Sequence, residues 1–284
     1  MAPAVAAAFL VCLTVLGGGS GAAAQTAPQQ APQQEAEVAD RSLSPECRVP
    51  GSKLYTLASL QSVKAALKEH RAIRVLALGS SSMASIGASS AQATYPARLA
   101  GELEKLFPDV EIEVINRGLS GEVAGEAAER VRNTVAEVDP DLVVWQVGTN
   151  DALARVDVDT FSDALDDTLK WLKSHEVDVV LVDPQYTASL ARDEYYASIV
   201  KAIEDIARKD GVPLVRRFEA MRYFAAERKA RAKRVGEGFH LNELGYRCMA
   251  EHVALAITVS LLQPDPPDSS SLDVSTTAKV SPAR

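Results

Sequence analysis

One stretch of the sequence combines a buried strand with hydroxyl side chains that could perform chemistry. Residues 73–78 read I-R-V-L-A-L, which is apolar apart from Arg74 and typical of a strand, and Gly79 and the three serines at 80–82 follow at once. A serine lifted out at the end of a strand is a candidate nucleophile when a base and hydrogen-bond donors lie beside it. Serines after a glycine are also typical of a simple turn or helix cap, so this stretch alone does not decide between the two.

Three further polar groups follow apolar segments later in the chain. They are residues 116–121 (N-R-G-L-S-G), 148–151 (G-T-N-D) and 183–186 (D-P-Q-Y). The carboxyl ends of parallel strands meet at one edge of an open α/β sheet, where ligands bind. We therefore expect these loops to lie together with the serines.

Of the four histidines, one stands in a predicted loop. His70 and His175 fall in the last turns of predicted helices, where a histidine interacts favourably with the helix dipole, and His252 lies inside the last helix. His240 precedes that last helix, so it can be placed beside the first strand's end and is the candidate general base. Glu237, three residues earlier, can accept a hydrogen bond from the imidazole and fix its tautomer.

The elements that must position these residues alternate between strand and helix. The segments with strand character are residues 73–78, 111–115, 142–147, 177–182 and 213–215, and amphipathic helical patterns separate them. Short apolar strands alternating with helices are typical of a parallel sheet covered on both faces. The sequence thus predicts an α/β fold, a three-layer α/β/α sandwich with a five-stranded parallel sheet.

The first residues of the chain have the composition of an export signal. Residues 1–24 carry no charged side chain and end in Ala22, Ala23 and Ala24, which predicts a signal peptide cleaved before Gln25, although no basic residue lies near Met1. The apolar run is short for a membrane span, and an uncleaved anchor is the alternative. We expect an exported protein, periplasmic or extracellular, without a membrane span after cleavage.

The rest of the chain divides into one folded domain between two polar segments. Residues 25–46 are rich in Ala, Pro, Gln and Glu and predict a disordered linker, residues 47–262 form the domain, and residues 263–284 predict a disordered tail. The formal net charge of −8 argues against nucleic acid as a partner.

Two cysteines, Cys47 and Cys248, remain after removal of the signal peptide. An even number of cysteines in an exported protein favours a disulfide. Two free thiols, with Cys248 as a small core residue, are the alternative.

Taken together, the polar groups resemble the sequence motifs of a known family. Gly79-Ser80-Ser81, Ser120-Gly121, Gly148-Thr149-Asn150-Asp151 and Glu237-Gly238-Phe239-His240 resemble, in order and spacing, the four blocks of the SGNH, or GDSL-type, hydrolases. The resemblance implies the flavodoxin-like SGNH fold with Ser81 as the nucleophile and His240 as the base. It also implies an oxyanion hole made of the N–H groups of Ser81 and Gly121 and the side-chain amide of Asn150.

The sequence departs from the family pattern at two positions. Ser80 replaces the usual aspartate before the nucleophile, a position that we interpret as structural. Glu237 replaces the aspartate of the D-x-x-H block, and its longer side chain can still reach the imidazole.

These observations predict an exported serine esterase acting on a short-chain acyl group, such as acetyl, of a carbohydrate or small molecule. A lipase, thioesterase or acyltransferase using the same site is one alternative, and a noncatalytic carbohydrate-binding protein that retains the fold is another. Gln185 and Tyr186 either line the substrate pocket or only hold their loop. The scattered histidines predict neither a metal nor another cofactor.

Overall fold

The computed structural model describes residues 42–49, 54–84, 86, 88–231 and 241–266. The strands in this part of the chain are β1 (Tyr55–Thr56), β2 (Ile73–Leu78), β3 (Ile112–Asn116), β4 (Leu142–Gln146), β5 (Asp178–Val182) and β6 (Leu214–Val215). The α-helices are α1 (Gln61–Lys68), α2 (Tyr95–Leu106), α3 (Ala124–Val138), α4 (Thr149–Ala154), α5 (Val158–Ser174), α6 (Glu194–Asp210), α7 (Arg217–Arg231) and α8 (Glu243–Leu261). Short 3-10 turns cover Ala91–Ala93 and Leu190–Arg192.

The strands form one sheet in the order β1-β6-β5-β4-β2-β3. Strands β2 to β6 are parallel, as predicted, whereas β1 pairs antiparallel with β6 through Tyr55 and Val215. The sheet therefore has six strands and not five. The additional strand is only two residues long, and so short a segment leaves no alternating pattern in the sequence.

The sheet is buried on both faces, which explains the nearly continuous apolar strands. In β2, Leu76 and Leu78 pack with α3, α5 and α6, whereas Val75 and Ala77 pack with α1, α2 and α8. All four side chains are at most 1% exposed. This packing confirms the predicted three-layer α/β/α arrangement.

Side-chain caps fix the starts of α2 and α8. The Thr94 side chain accepts a hydrogen bond from the N–H of Ala97 at the start of α2, and Asn242 accepts one from Gly245 at the start of α8. Such caps satisfy backbone N–H groups that have no partner inside the helix. They set the residues at which the preceding loops must end.

A disulfide between Cys47 and Cys248 joins the beginning of the described chain to α8, so the predicted bridge is confirmed. Contacts also extend past both predicted domain bounds: Leu43 is buried, Ser44 bonds to Glu251, and Asp265 pairs with Lys64. The domain bounds of 47 and 262 remain a prediction. Within the described ranges, the helices are too short or too polar to cross a membrane.

Candidate active site

The turn after β2 exposes one of its three serines. Gly79 has a φ of +149°, and the chain then turns so that the carbonyl of Ser80 accepts a hydrogen bond from Ala84 at 2.9 Å. Ser80 is 7% exposed and Ser82 is 2% exposed, whereas Ser81 is half-buried. Only the Ser81 side chain is therefore substantially open to a reagent in solution.

The loop between β3 and α3 is fastened to this turn. The N–H of Arg117 donates to the carbonyl of Ala77 at 2.9 Å, and the N–H of Leu119 donates to that of Gly79 at 2.8 Å. A Cβ on Gly118 would lie 2.6 Å from the Cβ of Met83, so only glycine permits this approach. The glycine-rich loop and the serine turn thus form one unit.

Gly121, the candidate oxyanion donor, lies in the same loop. Its φ of +88° is in the left-handed region, where glycine carries no steric cost. A Cβ built there meets no atom within 4 Å, so the space beside this residue is open. The glycine is therefore explained by its backbone conformation and not by crowding.

Asn150 lies in the first turn of α4, directly after β4. Gly148, with a φ of +94°, precedes the helix, and a Cβ there would lie 2.6 Å from Ile203 Cδ1. The Nδ2 atom of Asn150 donates to the carbonyl of Glu122 at 2.8 Å. Because an amide nitrogen carries two N–H donors, this bond leaves one for another acceptor.

The neighbouring Asp151 links the same two loops. It is 1% exposed, and its Oδ1 accepts a hydrogen bond from the N–H of Ala124 at 2.8 Å. Burial raises the pKa of this carboxyl, and the bond from Ala124 works in the opposite direction. Asp151 therefore holds the start of α3 against α4 and is a structural residue of the G-T-N-D block.

These loops surround a small cavity at the carboxyl edge of the sheet. It encloses about 270 Å³, open solvent at its mouth included. The lining residues come from the end of β2, from the start of α3 and from the end of β4 with α4: Gly79, Ser80, Glu122–Ala124, Ala127 and Trp145–Asp151. Asn150 and Ser80 thus border the cavity, while Ser81 itself is not among its lining residues.

The candidate base His240 and its partner Glu237 lie outside the described residues. The next residue, Leu241, is 6% exposed and belongs to the same core cluster as Met83, two residues after Ser81. Glu243, at the start of α8, accepts a hydrogen bond from the Ser89 side chain. The first turn of α8 therefore packs against the segment that follows the serine turn.

Gln185 and Tyr186 lie after β5 and have different surroundings. Gln185 is 2% exposed; its N–H donates to Thr149 Oγ1 at 3.4 Å, and its Oε1 accepts from Arg217 at 3.2 Å. These are the contacts of a residue that holds its loop, and Gln185 does not line the cavity. Tyr186 is half-buried and packs edge-on against Phe218 with ring centroids 5.4 Å apart.

The structure shows two buried ionisable residues near this edge: Arg217, which sequence reasoning did not select, and Asp183, which it named only as part of the 183–186 loop. Arg217, at the start of α7, is 3% exposed, and burial lowers the pKa of its guanidinium. Asp183 is fully buried, and burial raises the pKa of its carboxyl to about 8 although it accepts a hydrogen bond from Phe218. Charged residues are rarely fully buried, so their sequence positions alone gave no reason to expect burial.

In the described part of the chain, no three His, Cys, Asp or Glu side chains are grouped as metal ligands would be.

Comparisons with known proteins agree with this architecture. A model of the non-GDSL lipase-like family matches residues 46–262. A search of curated protein sequences gave no significant match.

Several solved structures share the fold. A catalytic mutant of Axe2, an acetylxylan esterase from Geobacillus stearothermophilus, is 20% identical and aligns over 66% of this chain and 94% of its own, with a TM-score of 0.57. The lipase/acylhydrolase from Enterococcus faecalis is 22% identical over 66% of this chain and 96% of its own, with a TM-score of 0.54. A two-domain esterase active on acetylated mannans is 18% identical over 74% of this chain and 56% of its own, with a TM-score of 0.60.

At these identities the solved structures establish the fold, and the family model establishes the kinship. Together they confirm the resemblance that the four sequence blocks carry. The chain belongs to the non-GDSL lipase-like family, and it is a carboxylic ester hydrolase of the SGNH type.

Proposed function

We propose that this protein is an exported serine esterase that hydrolyses a short-chain acyl ester, such as acetyl, of a carbohydrate or small molecule through an acyl-enzyme on Ser81. The observation that carries the proposal is the serine turn. Of the three consecutive serines only Ser81 is not buried, and the turn is bonded to the loop that carries Gly121.

The mechanism follows from where charge develops. The Ser81 hydroxyl attacks the ester carbonyl while His240 accepts its proton, and Glu237 orients the imidazole. The carbonyl oxygen becomes negative and is stabilised by the N–H groups of Ser81 and Gly121 and by the second N–H of Asn150. Collapse expels the alcohol, which takes the proton from His240, and a water molecule then hydrolyses the acyl-enzyme by the same steps.

The lining of the cavity supports the preference for a short acyl group. The cavity is small, and Val123, Ala124 and Trp145 provide apolar surface beside Asn150. A small apolar group such as the methyl of an acetyl ester is the occupant that we propose.

The carbohydrate part of the proposal has indirect support. Two of the proteins that share the fold are described as an acetylxylan esterase and as an esterase active on acetylated mannans. Export is supported by the uncharged N-terminal segment and by the Cys47–Cys248 disulfide, since such bridges persist in oxidising compartments. N-terminal sequencing of the mature protein should begin at Gln25, and recovery of Met1 from the exported fraction would refute the cleavage site.

A series of p-nitrophenyl esters of increasing acyl length, run beside an acetylated polysaccharide, tests the activity. We expect turnover to be highest for the shortest acyl groups. Ser81→Ala should lower kcat by a factor on the order of 10⁴ or more, because the nucleophile is lost. The matched control is Ser82→Ala, which removes a neighbouring hydroxyl that is buried and should leave turnover within about twofold of wild type.

The same variants separate the alternatives. A fluorophosphonate probe should label wild type and Ser82→Ala but not Ser81→Ala, and absence of labelling in wild type would favour a noncatalytic binding protein. Maximal rates with long acyl chains or thioesters would favour a lipase or thioesterase. Transfer of the acyl group to an added sugar hydroxyl in preference to water would favour an acyltransferase.

A further inference from the structure

A buried hydroxyl from the last helix reaches the segment that follows Ser81. Tyr246, in the first turn of α8, is 0% exposed, and its phenolic O–H donates to the carbonyl of Ile86 at 2.7 Å. The N–H of Tyr246 donates to the carbonyl of Asn242 at 3.0 Å, and the Asn242 side chain caps the same turn. The phenol is therefore held by a capped helix that packs in the core.

The main chain of Ile86 connects Tyr246 to the serine turn. Its N–H donates to the carbonyl of Ser81 at 3.1 Å, so two hydrogen bonds connect the Tyr246 hydroxyl to the Ser81 main chain. The Ile86 side chain is 41% exposed, which means that side-chain packing does little to fix this residue. Among the described residues, its main chain is bonded to Ser81 and to Tyr246.

Burial raises the pKa of the Tyr246 phenol, and nearby Arg217 lowers it by less. The direction of this shift favours the protonated hydroxyl, which is the form that donates to the carbonyl of Ile86.

A second buried tyrosine provides a contrast in the same core cluster. Tyr95, at the start of α2, is also 0% exposed, and burial raises the pKa of its phenol as well. Its hydroxyl has no hydrogen-bond partner among the described residues. The two phenols therefore differ chiefly in whether the oxygen is bonded to the chain that follows Ser81.

We infer that Tyr246 is a positioning residue for Ser81: its hydroxyl fixes Ile86, and Ile86 fixes the turn that presents the nucleophile. The inference rests on the proposed role of Ser81. Nucleophilic attack requires the reacting atoms to be held about 3–3.5 Å apart in the correct orientation, so a loosened turn lowers the rate of the chemical step more than it weakens substrate binding.

The test compares Tyr246→Phe with Tyr95→Phe, each of which removes one buried hydroxyl oxygen and leaves the ring. We expect Tyr246→Phe to lower kcat for p-nitrophenyl acetate by about tenfold, the factor that corresponds to one hydrogen bond. KM should stay within about twofold, because substrate contacts are unchanged. Tyr95→Phe should retain wild-type kcat and KM, and its melting temperature should be no lower than that of wild type, because the oxygen that it removes has no hydrogen-bond partner among the described residues.

A second measurement does not depend on turnover. The rate of Ser81 labelling by a fluorophosphonate should fall in Tyr246→Phe and not in Tyr95→Phe. Hydrogen exchange of the Ile86 amide should be faster in Tyr246→Phe, because the bond to Ser81 opens more often. Exchange can also be measured when the variant is only marginally stable, at a temperature well below its melting midpoint.

The outcomes distinguish the inference from the function on which it rests. If both Tyr→Phe variants keep the wild-type kcat while Ser81→Ala is inactive, the positioning role is overturned and the proposed esterase activity still stands. An equal loss in both variants would also overturn it, since it would indicate a general effect of disturbing the core. An active Ser81→Ala protein would refute the proposed nucleophile itself.

Discussion

We expect the free energy of unfolding to depend on pH through one buried histidine, His252. His252 is 3% exposed in the middle of α8, and its Nε2 lies 2.7 Å from the carbonyl of Cys47. Tyr55 and Phe224 pack around its ring. Burial lowers the pKa of the imidazole from 6.5 to about 4, and the bond to Cys47 opposes this only in part.

The size of the effect follows from the two pKa values. Between pH 6.5 and about 4 the unfolded chain binds a proton at this histidine and the folded chain does not, so stability falls as the pH is lowered. The full shift corresponds to about 3 kcal/mol, of which about 2 kcal/mol is lost by pH 5. Above pH 7 the contribution is constant.

Urea unfolding of wild type and of His252→Gln at pH 5 and pH 7.5 measures this contribution. Other groups titrate over the same range, so the relevant quantity is the difference between the two proteins at each pH. The unfolding free energy of wild type minus that of His252→Gln should be smaller at pH 5 than at pH 7.5 by about 2 kcal/mol. The control is His175→Gln, which alters an exposed histidine and should show no such change. A wild-type to His252→Gln difference that is the same at both pH values would refute the buried neutral imidazole.

Three further predictions concern the site and the core. Asn150→Ala should lower kcat by about 10²–10³ with a modest change in KM, because one oxyanion donor is lost; steady-state kinetics check this, and a pure rise in KM would contradict the role. Replacing Cys47 and Cys248 together by Ala should lower the free energy of unfolding by about 5 kcal/mol, since the bridge spans 201 residues; denaturant titration would count against this if the midpoint did not move. The pKa of Asp183 is raised to about 8, so the contribution of Asp183 to stability should fall as the pH rises from about 4 to 8, and the difference in unfolding free energy between wild type and Asp183→Asn should change accordingly; a difference that is the same at pH 4 and pH 8 would argue against a protonated carboxyl.

Much of the fold could be predicted because the buried strands have few alternatives. An apolar run such as residues 73–78, buried on both faces, has no other stable place than the interior of a parallel sheet. The Thr94 cap with Pro96 two residues later is likewise a sequence signal typical of the start of a helix, and α2 begins there. Both signals are local, so they survive without knowledge of the rest of the chain.

What the sequence could not predict depends on tertiary contacts. The strand β1 exists only because Tyr55 meets Val215 of β6, and α4 begins at Thr149 because Gly148 adopts a left-handed conformation packed against α6. The choice of Ser81 over its neighbours also needed either the family resemblance or the exposed fractions. Composition alone treats the three serines as equivalent.

The link between Tyr246 and Ile86 was equally invisible, because it joins residues 160 positions apart through one hydroxyl. A tyrosine at helical spacing predicts only a core residue. Its hydroxyl gains the carbonyl of Ile86 as a hydrogen-bond partner only when the segment between β2 and α2 folds beside it.

The cystine has a consequence for biogenesis. Its second sulfur comes from α8, so the bridge can form only after practically the whole domain has been synthesised. An oxidoreductase that acts on the chain during synthesis therefore encounters Cys47 before Cys248 exists. Formation of this disulfide is consequently a late step in the maturation of the protein.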